Sequence, residues 1–116
     1  MASEIRQQRY RELIKEELGK ILFDYLDVEP GILVTITRAD ISEDLFHATV
    51  WVSVFPTEKA EGVMSRLQKS IFDIQQLFNR KMRVRPVPKI RFEFDKNPEE
   101  ASHIEELLEK TKEHGE

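Results

Sequence analysis

One apolar stripe, Ala60, Val63, Met64, Leu67, Ile71, Ile74, Phe78 and Met82, runs at three-and-four spacing through the middle of the chain, the mark of an amphipathic helix. A straight helix over residues 58–82 would be about 37 Å long, more than a small domain is wide. Phe72 and Leu77 fall off the stripe. A break is therefore expected near residues 69–73, with two helical pieces packing at an angle. The chain has 116 residues, which fits one domain that buries roughly two-thirds of its unfolded surface.

The flanking segments complete an α+β pattern. From Glu4 to about Tyr25 the apolar positions Tyr10, Leu13, Ile14, Leu18, Ile21, Leu22 and Tyr25 predict a helix capped by Ser3. Pro30 and Gly31 end it. "ILVTIT" (32–37) and "LFHATVWVSVF" (45–55) alternate as strands, the second with Phe46, Ala48, Val50, Val52 and Val54 on its apolar face. The short polar stretch "SED" (42–44) joins them as an antiparallel hairpin.

Thr57 is expected to cap the long helical stretch. Pro86 and Pro88 stiffen a connector into a third strand, "KIRFEFD" (89–95), whose Ile90, Phe92 and Phe94 alternate with Lys89, Arg91 and Glu93. Asn97 and Pro98 open a last helix with Ile104, Leu107 and Leu108 inward, and the tail from about 110 is expected to be mobile. Each sheet face pattern is apolar on one side and mixed on the other, so the helices should cover a single face of a three-stranded sheet.

The net charge is -4, yet the charge is segregated. Residues 66–91 carry Arg66, Lys69, Arg80, Lys81, Arg83, Arg85, Lys89 and Arg91 against Asp73 alone, whereas residues 25–65 hold two basic and seven acidic groups. Partner choice follows the local field, so an acidic chain can still bind nucleic acid. Charge runs are often solvated faces, here one that could pair with the acidic C-terminal segment. The near-absence of interleaved acid and the stiffened connector favour phosphate as the counter-charge. Arg6, Arg9 and Arg11, on the polar side of the first helix, would extend that surface.

An enzyme finds little support. There is no cysteine, no glycine-rich phosphate loop and no G-x-S-x-G elbow. His103 with Glu100 or Glu106 could take a stray metal, but histidines beside glutamates on a helix are ordinarily just solvated. Asp40, Glu43 and Asp44 flank a turn, where carboxylates usually serve the local backbone. No cofactor, metal or small-molecule substrate is expected. The charged N-terminus has no apolar run of signal or membrane-spanning length, so a cytoplasmic monomer is expected. Trp51 faces away from the valine stripe, where it would stack on a base, cover the sheet edge or pack beneath a long side chain.

Two ordered motifs, "VTITRADISEDLFHATVWVS" (34–53) and "MRVRPVPKIRFEFD" (82–95), with the weaker "ASHIEELL" (101–108), resemble the ribosome-binding factor A family. The resemblance implies a type II KH-like fold of α-β-β-α(kinked or split)-β order plus a C-terminal helix. It also implies a non-enzymatic factor that binds 16S rRNA of the free or immature 30S subunit and assists late maturation and rRNA processing, with no membrane partner. At the break the family carries an Ala-x-Gly kink in place of the Gly-x-x-Gly loop of other KH domains. Ser70, Ile71 and Phe72 stand there in this chain, and Gln75 where a basic residue usually follows. Phe72 lacks glycine's conformational freedom, so the interhelical kink at Ser70, Ile71 and Phe72 is less favoured to be sharp and a close backbone approach of RNA there less favoured, leaving the flanking basic residues as the RNA-binding surface. The competing expectation is a protein-interaction module docking a partner on the open sheet face around Trp51, in which case binding would resist salt.

Overall fold

The computed structural model describes residues 3–96. Helix α1 spans Glu4–Leu26, and its first free backbone amides are met as expected, with Arg6 N–H donating to the Ser3 hydroxyl at 3.1 Å. Asp27, with φ 47°, closes the helix in a left-handed conformation. Gly31, with φ 93°, then turns the chain into strand β1 (Leu33–Ile41). Strand β2 (His47–Phe55) returns antiparallel to β1, pairing Leu33 with Phe55 and Ile41 with Ala48.

Helices α2 (Ala60–Lys69) and α3 (Ile71–Lys81) follow, and strand β3 (Lys89–Phe94) lies parallel to β2 in the sheet order β1-β2-β3. The three helices pack on one face of the sheet. Tyr10, Ile14, Leu18, Val50, Val52, Leu67, Ile74, Phe78 and Phe92 form the core between the layers. The C-terminal helix and mobile tail expected from the sequence lie outside the described residues.

Four local expectations are corrected. The apolar face of β2 does not include Phe46, which is 55% exposed, because Leu45 takes φ 69° and turns inward to 2% exposure before the strand begins. Thr57 caps no α-helix: Thr57–Lys59 form one 3-10 turn after Pro56 without a side-chain cap, and α2 starts at Ala60. The break expected near residues 69–73 is present, but it falls on Ser70 alone, leaving Ile71 and Phe72, expected to share the kink, inside α3. Ser70 has φ -98° and ψ 6°, in the bridge region at negative φ that residues with a side chain also adopt, so the interruption needs no glycine.

The fourth concerns β1, which runs on to Ile41 through a β-bulge. Ile36 pairs with Val52 and Arg38 with Trp51, leaving Thr37 as the extra residue. The bulge reverses the alternation: Val34 and Ile36 face the helices before it, and Ala39 and Ile41 after it. Arg38 is thereby turned outward. The Thr37 hydroxyl donates to Asp95 at 2.7 Å, tying the end of β3 to β1 across β2.

The β1–β2 turn is built on Asp44, whose carboxylate accepts from the Ser42 hydroxyl at 2.6 Å and the Phe46 N–H at 3.0 Å. The Ser42 bond foremost, then the Phe46 bond, holds the Asp44 carboxyl below its usual range. A lowered folded-state value means that the stabilisation is present above the ordinary carboxylate pKa and is lost as the pH falls through the folded value. Asp44→Ala should therefore melt below the parent near neutral pH, and the gap in Tm should close as the pH falls below the carboxylate range.

Candidate nucleic-acid interface

Helices α1 and α3 decide where the cations go. Tyr25 near the end of α1 donates its hydroxyl to Asp73 near the start of α3 at 3.1 Å. Tyr10 near the start of α1 donates to the Pro86 carbonyl, beyond the end of α3, at 2.8 Å. The two helices thus run in opposite senses, and fifteen residues of α1 separate these contacts by about 22 Å. A basic run that is continuous in sequence is consequently divided in space.

Arg66 and Lys69 lie toward the Tyr25 end. The Arg66 guanidinium donates to the Leu26 carbonyl, one of the carbonyls that α1 leaves unpaired at its C-terminus. Its role here is to join α2 to α1.

Arg80, Lys81, Arg83 and Arg85 gather at the other end, and Arg6 joins them from α1 by donating Nη2 to the Arg85 carbonyl at 3.1 Å. Arg80 and Lys81 occupy the last turn of α3, where they also complement its free carbonyls. The Arg85 guanidinium folds back on the carbonyls of Met82 and Val84, each at 3.2 Å. Arg83 has neither an acidic nor a backbone partner among the described residues, and Lys69, Arg80, Lys81 and Lys89 likewise form no ion pair there. Arg9 is exposed, while Arg11 is half-buried and donates to Gln8.

The open sheet face is more nearly neutral. Lys89 and Arg91 of β3 stand beside His47 and Thr49 of β2, and Arg91 pairs with Glu93 at 3.2 Å. Arg38 lies over the Trp51 ring at 3.8 Å from its centroid and contacts Asp40 at 3.5 Å. Trp51 therefore packs beneath a long side chain, a cation–π contact that occupies one face of the indole. Among the described residues no group of three His, Asp or Glu could hold a metal ion, and no helix is long and apolar enough to cross a membrane. His103 lies outside those residues.

Two residues outside the list of candidate site residues shape this end. Gln75 donates to the Pro88 carbonyl at 3.0 Å and accepts the Ile90 N–H at 2.8 Å, capping the outer edge of β3. Tyr10 reads as a core residue from its spacing, and its buried ring does fill the core, but its hydroxyl reaches the connector. Neither contact has a sequence signal, since each joins segments far apart in the chain.

The order α-β-β-α-α-β among the described residues, with β3 parallel to β2 and α1, α2 and α3 on one face, defines a type II KH-like domain carrying a cationic connector at one end. The chain belongs to the ribosome-binding factor A family, whose model matches residues 6–108. It is 34% identical over 110 residues to ribosome-binding factor A of Clostridium botulinum, an alignment covering 93% of this chain and 92% of that one. Its fold is similar to the crystal structure of ribosome-binding factor A from Thermus thermophilus (TM-score 0.63, 22% identity, 75% of this chain and 93% of that one). It is also similar to coordinates of the Thermus thermophilus factor fitted into a cryo-EM map of its complex with the 30S subunit (TM-score 0.59, 23% identity, 71% and 87% covered).

Proposed function

We propose that this chain is a non-catalytic assembly factor that docks on the 30S subunit through 16S rRNA phosphates and assists late maturation. The observation that carries the reading is the group of exposed cations at the end of α3 and along the connector, with no acidic partner among the described residues. A family relative fitted into a 30S complex supports the choice of partner. Arg80, Lys81 and Arg83 make the main phosphate contacts, with Arg6, Arg85 and Lys89 beside them. Such contacts position the domain without reading bases. Arg66 and Lys69 lie at the far end of α1, and Arg91 is paired on the sheet face, so these three contribute less.

Purified protein should co-sediment with small subunits rather than large ones. Its affinity should fall about 10³-fold or more between 50 and 200 mM salt if six phosphates are engaged. Association that is insensitive to salt, or equal for both subunits, would overturn the reading.

A further inference from the structure

The connector between α3 and β3 carries cations on a backbone that cannot support itself. Pro86 and Pro88 remove two N–H donors, and the segment joins no ladder before Lys89, whose N–H donates to the Phe46 carbonyl at 2.8 Å. Its carbonyls are instead taken by side chains from two helices. The Arg85 carbonyl accepts from Arg6 at 3.1 Å, the Pro86 carbonyl from Tyr10 at 2.8 Å and the Pro88 carbonyl from Gln75 at 3.0 Å. The same Gln75 carboxamide accepts the Ile90 N–H at 2.8 Å, so one side chain fixes the end of the connector and the start of β3.

We infer that Tyr10 and Gln75 are positioning residues for RNA binding, clamping the connector from behind so that Arg83 and Lys89 are held at a fixed spacing for successive phosphates. The inference rests on the rRNA reading above. Neither residue contributes charge, and neither need touch the RNA. Their contribution is to have the loop ordered before binding, so that its ordering is not subtracted from the affinity. The signature is therefore distinctive: loosening the clamp leaves the number of neutralised phosphates unchanged and weakens binding by one factor at every salt concentration, whereas removing a cation changes the slope itself.

Affinity for purified small subunits is measured from 50 to 200 mM salt for the parent, Tyr10→Phe, Gln75→Leu, the double variant and Arg83→Glu, each well below its melting temperature and with far-UV circular dichroism recorded. The double variant is expected to bind about 10-fold more weakly, a loss of the order of one or two poorly ordered groups, along a line parallel to the parent's. Arg83→Glu should give a flatter line. If the double variant unfolds, Tyr10→Phe decides, since it keeps the buried ring and removes only the hydroxyl. Parent-like affinity in the folded clamp variants beside a weakened Arg83→Glu overturns the clamp alone. A flattened slope in the clamp variants also overturns it, because contacts would then have been lost rather than loosened. An unchanged Arg83→Glu overturns the rRNA reading of the connector, and the clamp with it.

Discussion

Replacing Arg80, Lys81 and Arg83 together by glutamate is expected to weaken binding to small subunits about 100-fold or more at moderate salt. Each lost phosphate contact removes roughly 0.7–0.9 from the slope of log K against log salt. Three contacts then lower the salt sensitivity between 50 and 200 mM by about 30-fold, and the reversed charges add repulsion. All three side chains are exposed, so the core is untouched. Arg80 and Lys81 stand in the last turn of α3, where each reversal costs about 0.3–1 kcal/mol against the helix dipole. The triple variant should therefore fold, with a modest drop in Tm. Lys69→Glu, at the other end of α1, is the internal control and should bind within about two-fold of the parent, since one peripheral charge acts only through a screened field. Parent-like co-sedimentation of the triple variant would remove the connector from the interface.

Phe78→Ala should have the largest effect on stability. Phe78 is fully buried on α3 between the helical layer and the sheet, and truncating such a residue costs about 3–5 kcal/mol in lost transfer energy and residual cavity. A domain of this size has about 5–15 kcal/mol in all, and each kcal/mol moves Tm by about 4–8 °C. A fall of at least 12 °C is expected by calorimetry, with unfolding near 37 °C if the parent lies at the low end of that range. Phe72, six residues earlier on the same helix, is 70% exposed, and Phe72→Ala should stay within about 0.5 kcal/mol of the parent. Equal losses from the two substitutions would contradict the orientation of α3.

That contrast marks what was legible in the sequence. Phe78 lies on the helical stripe and Phe72 off it, so periodicity alone separates a core residue from a surface one. The same signal gives the order of the elements, the hairpin and the interruption of the long helix. It fails where one residue departs from the period. Leu45 turns inward through a left-handed conformation rarely taken by a branched apolar side chain, and nothing in its identity announces that. The bulge at Thr37 did leave a trace: the apolar positions pass from 34 and 36 to 39 and 41, a change of parity that strict alternation overlooks.

The candidate interface was legible as a list of cations, not as a surface. Arg66 and Arg83 belong to one basic run in the sequence, but α3 runs back along α1 and carries them to opposite ends of it. Arg85 and Gln75 reveal their backbone contacts only when the fold brings the carbonyls to them.

The parity change at Thr37 also marks where the first hairpin strand can lose a residue and keep its register. Remove Thr37 and the pairs on either side of it, Ile36 with Val52 and Arg38 with Trp51, become consecutive, so plain alternation keeps Ile36 and Ala39 inward and Arg38 outward. What the deletion takes away is the hydroxyl that reaches Asp95 and the extra twist of the bulge. A residue taken from the regular part of the strand would instead turn the inward side chains beyond it toward solvent.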